Sequence, residues 1–143
     1  MALIVFQHAA AEGLGRLAPV LRDHGHVIDT RRLYETGSGR RGVPVDFDGV
    51  DGVISLGGPM NVTDEPKPAW MDAELAYLAA AHQRMLPVLG ICLGAQMLAK
   101  ALGGDVGPMQ NAAGQPSAEF GFAPVKLNLA GQTDTLLAGV AWT

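Results

Sequence analysis

Val88-Leu89-Gly90-Ile91-Cys92-Leu93-Gly94-Ala95-Gln96 is the stretch on which the reading of this chain turns. Pro87 to Cys92 is mostly apolar and predicts a strand, and Gln96 to Leu102 predicts a helix that stops at Gly103-Gly104. Between them the chain has to turn sharply. Gly90-x-Cys92-x-Gly94 has the G-x-S-x-G pattern of a nucleophile elbow, with Cys in place of Ser. Gly90 and Gly94 lack a Cβ, so strand and helix can approach closely around a strained turn. Cys92 then stands at a helix N-terminus, where the dipole favours a thiolate. The N–H of Leu93, directly after it, is free to face a developing oxyanion. A free Cys is more often a small buried hydrophobe; the strand, Gly-x-Cys-x-Gly, helix setting favours a nucleophile. Gln96 lies one helical turn after Cys92, so the two side chains share a face. A carboxamide there can hydrogen-bond an amide or amino-acid substrate, or it can be an ordinary surface Gln.

Upstream, strand and helix alternate. Leu3 to Phe6 is a continuous apolar run suited to a strand covered on both faces. Leu14, Leu17 and Leu21 recur at helical spacing, with Gly25 as the stop. His26 to Leu33 predicts a second strand, Glu35 to Gly42 a loop, and Val50 to Leu56 a third strand that ends at Gly57-Gly58-Pro59. A helix is expected to start within Asp64 to Pro68, with Met71, Leu75, Leu78, His82 and Met85 on one face. Val106 to Glu119 is rich in Gly, Pro and Ala and predicts a surface loop; Val125 to Leu129 alternates like an antiparallel strand. The expected fold is α/β, one domain over 1–143, with an open, mostly parallel, doubly wound, flavodoxin-like sheet. In such a sheet, sites form at the carboxyl ends of strands. Gly57-Gly58-Pro59 falls there, and can offer a second backbone N–H to an oxyanion. It can also be a plain turn or a phosphate loop, but no GxGxxG or Walker pattern accompanies it.

Almost half of the 143 residues are hydrophobic and 17% are charged, the balance of a folded domain able to bury a core without disulfides or metals. A formal net charge of -4 argues against nucleic-acid or anionic-membrane partners. The single cysteine excludes an internal disulfide and fits a cytoplasmic location. Met1 to Phe6 is too short for a signal peptide, and no apolar run is long enough to span a bilayer. No residue pattern calls for a metal or a cofactor.

With these residues stated, the chain resembles the class I glutamine amidotransferases, and among them the stand-alone forms similar to the glutaminase part of GMP synthase. The likeness runs through Gln7-His8 with Glu12-Gly13, Ser55 to Met60, Pro87 to Gln96, Ala101 to Gly104, and Glu119 to Phe122 before Pro124-Val125. The resemblance implies that Cys92 attacks the side-chain carboxamide of glutamine and forms a γ-glutamyl thioester. It implies an oxyanion hole from the N–H groups of Gly58 and Leu93, and substrate binding by Gln96, Gly57, Pro59 and Met60. It implies no cofactor, and a synthetase domain or subunit that receives the ammonia.

The family also uses a His and a Glu in a His-Pro-Glu or His-x-Glu motif near the C-terminus, and none lies between Cys92 and Thr143. The chain therefore reads as lacking the last strands of the family domain. Two states are expected of apolar surface left bare by them: low stability, or a homodimer that covers it. Of the four histidines, His24 and His26 belong to the sheet edge opposite Cys92, and His82 to a core or boundary position. His8 follows the first strand and belongs to the same edge as Cys92. It could stand in as a base, but its expected role is a hydrogen bond near the rim of the site. Two rivals to a glutaminase stay open: a catalytically impaired pseudo-glutaminase acting as a binding module, and a related Cys hydrolase such as a γ-glutamyl peptide hydrolase.

Overall fold

The computed structural model describes residues 1–35, 42–118, 121, 124 and 126–137. The chain divides into two compact units, Met1–Gly107 and Pro108–Thr143. Among its described residues the first holds four strands and three helices: β1 (Ala2–Gln7), α1 (Leu17–Asp23), β2 (Val27–Arg32), β3 (Val50–Ser55), α2 (Met71–Gln83), β4 (Val88–Gly90) and α3 (Leu93–Ala101). The second holds α4 (Leu129–Thr133) and an isolated antiparallel bridge between Gln110 and Pro116.

The strands form one sheet in the order β2-β1-β3-β4, and every pairing is parallel. Parallel neighbours need crossovers: α1 supplies the one from β1 to β2 and α2 the one from β3 to β4. Residues alternate across β1, so its apolar run divides between two layers. Leu3 and Val5 join Ile54 and Leu56 beneath Leu14, Leu17 and Leu21 of the α1 region. Ile4 and Phe6 face the other way, against Met71, Leu78, Ala81, Leu93 and Met97 from α2 and α3. This is the doubly wound, flavodoxin-like α/β arrangement that the apolar runs predict, here as a four-stranded sheet.

Several expectations need correction. Asp64 to Pro68 starts no helix; α2 begins at Met71, after a turn in which Met71 N–H bonds to Pro68 O at 3.0 Å. Its buried face is Met71, Glu74, Tyr77, Leu78 and Ala81. His82 is exposed, so the core or boundary reading of it was wrong, and Met85 is 86% exposed just past the helix end at φ 58°. The helix after Cys92 starts at Leu93 rather than Gln96. Lys126 to Asn128 is not a strand, and Leu129 opens α4, capped by the Asn128 side chain accepting from Gly131 N–H at 2.8 Å. The middle of the predicted Glu35–Gly42 loop, and Glu119, Phe120, Phe122 and Val125, lie outside the described residues.

Candidate functional site

The chain leaves β4 at Gly90 and enters α3 at Leu93, so the reversal happens in two residues. Cys92 takes it up with φ 54° and ψ −112°, a conformation that side chains rarely adopt. The glycines on either side are sterically required. A Cβ on Gly90 would come within 2.5 Å of Gly94 O, and one on Gly94 would collide with the Ser55 carbonyl. Gly94 N–H donates to Leu56 O at 3.0 Å and Ile91 N–H to Ser55 O at 2.9 Å, which ties the elbow to the end of β3. The Cys92 carbonyl accepts from Ala95 and Gln96, so it begins the hydrogen bonding of α3 while its side chain stays exposed.

The Gly57–Gly58 segment packs against this elbow. A Cβ on Gly57 would run into the Glu12 carboxylate and would stand 3.6 Å from the Cys92 Cβ. A Cβ on Gly58 would lie 2.8 Å from Leu93 Cδ2, 2.9 Å from Met60 Sδ and 3.1 Å from His8 Cβ. Only glycines fit so close to the turn. Among the described residues neither the Gly58 N–H nor the Leu93 N–H has an acceptor. Two backbone donors without acceptors thus flank an exposed thiol at a helix N-terminus. Pro59 is exposed, and Met60 is half-buried.

Gln96 is half-buried one turn beyond Cys92. Its Oε1 accepts from Val62 N–H at 3.1 Å, and Val62 O accepts from Lys100 Nζ at 3.3 Å. These bonds clamp the loop after β3 onto α3. They leave the Gln96 Nε2 without an acceptor among the described residues.

His8 lies at the expected edge of the sheet, but not at the rim: it is 1% exposed. Its Nδ1 faces Leu56 O and Gly57 O, each at 3.1 Å, and its Nε2 lies 2.9 Å from Glu74 Oε2. Trp70 stacks on the ring with centroids 4.7 Å apart. The other Glu74 oxygen accepts from Ser55 Oγ at 2.7 Å. Burial pushes the His8 pKa down, but the hydrogen bond and charge of Glu74, helped by the Gly57 and Leu56 carbonyls, outweigh it and hold the pKa above 6.5. The rim reading fails because Trp70 and α2 close over the imidazole. With both nitrogens committed, His8 has no free lone pair to take a proton from Cys92. His24 and His26 flank the amino end of β2, the edge opposite Cys92, as expected.

Ser55, Trp70 and Glu74 were not singled out from the sequence as neighbours of the site. Glu74 did carry a signal: it falls between Met71 and Leu78 on the apolar stripe of α2, and a carboxylate there has to find a partner. Glu12 had only the family likeness to mark it. Among the described residues no group of three or more His, Cys, Asp and Glu side chains could hold a metal ion.

Comparison with known proteins identifies the family. Residues 29–120 match the family Glutamine amidotransferase class-I. A putative glutamine amidotransferase-like protein of Salmonella typhimurium, YfeJ, is 30% identical over 136 residues, covering 92% of this chain and 52% of that protein. The glutamine-hydrolysing GMP synthase of Prochlorococcus marinus is 38% identical over 77 residues, 54% of this chain and 12% of the synthase. The crystal structure of a glutamine amidotransferase from Methylobacillus flagellatus superposes with a TM-score of 0.63 at 30% identity, covering 71% of this chain and 39% of that one. The chain thus spans about half, or much less, of the relatives it matches.

Proposed function

The chain belongs to the class I glutamine amidotransferase family, and we propose that its site performs the glutamine-hydrolysing chemistry from which that family is named. One observation carries the reading: Cys92 is held at φ 54° in the β4–α3 elbow, exposed, beside two backbone N–H groups that have no acceptor among the described residues. A strained residue at a helix N-terminus, flanked by open donors, suits a nucleophile better than a structural thiol.

In this reading the Cys92 thiolate adds to the side-chain carbonyl carbon of glutamine. The oxyanion accepts hydrogen bonds from Gly58 and Leu93 N–H. The tetrahedral adduct collapses by breaking the C–N bond, and ammonia leaves with a proton from a general acid. Water then attacks the γ-glutamyl thioester and releases glutamate and the thiol. The open Nε2 of Gln96 donates to the substrate, and the Gly57 to Met60 segment forms the wall of its pocket. The ammonia passes to an acceptor on a synthetase domain or subunit, consistent with the glutamine-hydrolysing GMP synthases among the relatives. A cytoplasmic location and a homodimer joined through the exposed Leu89 and Ile91 beside edge strand β4 complete the proposal.

Proton transfer is the exacting step. His8 is sealed against Glu74, His24 and His26 are at the far edge, and His82 is in the last turn of α2, which leads into the amino end of β4, so none of them serves Cys92 as a base. Turnover depends on a base that these four histidines do not provide. Two assays on the same protein test the reading: ammonia release from glutamine, and alkylation of Cys92 by a glutamine-like electrophile. Ammonia release that disappears in Cys92→Ala supports the glutaminase. Alkylation without turnover supports the second reading, a pseudo-glutaminase that keeps its nucleophile without a base. Failure of both sinks the proposal.

A further inference from the structure

The Gly57–Gly58 peptide is the least restrained part of the site by sequence and the most demanding by function. Neither residue has a Cβ, so nothing intrinsic stops that peptide from rotating. Yet the Gly58 N–H is useful to an oxyanion only in one orientation. The Gly57 C=O and the Gly58 N–H belong to the same planar trans unit and point in opposite directions. A group that holds the carbonyl on one side therefore aims the N–H on the other.

His8 is that group. A carbonyl oxygen can only accept, so Nδ1 carries a proton and donates to Gly57 O, and to Leu56 O, at 3.1 Å each. The ring is itself fixed by Nε2 on Glu74 Oε2 at 2.9 Å, by Ser55 Oγ on the other oxygen of that carboxylate, and by the stacked Trp70. His8, Glu74 and Ser55 are all buried, so water does not compete for these bonds.

We propose that His8 is a positioning residue: by holding the Gly57 carbonyl it keeps the Gly58 N–H aimed at the oxyanion formed on Cys92. The role rests on the glutaminase reading above and deepens it. It predicts an oxyanion hole that is formed before substrate arrives, at no cost of reorientation during the reaction.

Two amide variants separate the two nitrogens of His8. In His8→Asn the amide nitrogen is bonded to Cγ, as Nδ1 is, so a donor to Gly57 O is kept and Glu74 is given up. In His8→Gln the amide nitrogen reaches toward Glu74, and the carbonyls lose their donor. The probe is the glutamine analogue whose side-chain amide is replaced by an aldehyde. The Cys92 sulfur adds to its carbonyl carbon, the C=O π bond becomes the oxyanion, and the hole must stabilise that oxygen. Iodoacetamide is the control, because it alkylates the thiol by displacing iodide and forms no oxyanion.

The expected result is that His8→Gln binds the aldehyde about ten-fold or more weakly than the wild type, while its iodoacetamide rate changes less than about two-fold. His8→Asn stays within about three-fold of the wild type for both probes. Equal affinities in His8→Gln and the wild type, or equal losses in both variants, would overturn the positioning role. A wild type that reacts with iodoacetamide but not with the aldehyde would overturn the glutaminase reading as well, so the two failures are distinguishable. Should either variant not fold, the wild type decides: the Gly58 amide must give one nuclear magnetic resonance signal that shifts on aldehyde addition. Two exchanging signals for that amide in the free protein would overturn the proposal.

Discussion

His8 Nε2 lies 2.9 Å from Glu74 Oε2 with both side chains out of solvent, so the imidazole and carboxylate form a closed pair at the carboxyl edge of the sheet. The pair raises the His8 pKa in the folded state above 6.5. The folded protein therefore binds this proton more tightly than the unfolded chain does. The stabilisation is complete below about pH 6.5, declines above it, and is lost as pH passes through the raised pKa. Urea midpoints measured from pH 6 to 9 should fall for the wild type and stay nearly level for His8→Asn. A wild-type midpoint that climbs over this range contradicts the assignment.

Glu74→Ala would leave His8 buried without its partner. Removing one member of a buried pair costs roughly 3–5 kcal/mol, and Ser55 Oγ would lose its acceptor too. Chemical denaturation of the variant measures this loss directly. A change below about 1 kcal/mol would show that solvent reaches the pair.

Gly94 has the least room of the glycines at the elbow, since its Cα lies against the Ser55 carbonyl. Gly94→Ala should destabilise by about 3 kcal/mol or more, because backbone atoms of β3 and α3 would have to separate. Gly107→Ala, where a Cβ meets nothing within 4 Å, should be close to neutral. Comparable melting temperatures for the two variants would contradict the close approach.

Cys92 at φ 54° stores strain that a glycine would not. Cys92→Gly should therefore be more stable than Cys92→Ala by about 1 kcal/mol, although it places a more flexible residue in the turn. Melting curves of the two variants side by side test this. A less stable glycine variant would mean that the turn is relaxed.

Much of this could be read from the sequence, for identifiable reasons. The central strands β1 and β3 announce themselves as apolar runs because they are buried on both faces, whereas β2 carries Asp29, Thr30, Arg31 and Arg32 and shows itself only through Val27 and Ile28. The elbow is legible because two glycines and a cysteine at fixed spacing have one steric explanation. The start of α2 was misplaced because Pro66 and Pro68 resemble a helix entry, whereas the chain completes a turn before Met71. The face of α2 was misjudged because Met85 continues the apolar spacing past the point where the helix ends at Gln83. His8 could be assigned to the right edge from topology alone. Its burial could not, because that depends on Trp70 and Glu74, more than 60 residues away in sequence.

Gln96→Glu keeps an acceptor for Val62 N–H but removes the Nε2 donor. Stability should change by no more than about 0.5 kcal/mol, while protection of Cys92 by glutamine should weaken about ten-fold, near the value of one hydrogen bond to a bound substrate. Unchanged protection would remove Gln96 from the binding site.

The proposed function makes Cys92 a nucleophile set to receive the carboxamide of glutamine. Its most direct test is the alkylation rate of Cys92 by a glutamine-like electrophile, followed by intact mass and peptide mapping with increasing free glutamine. One adduct is expected, on Cys92, slowed saturably by glutamine and not by asparagine. A Cys92 that does not react, or that reacts at a rate indifferent to glutamine, would contradict it.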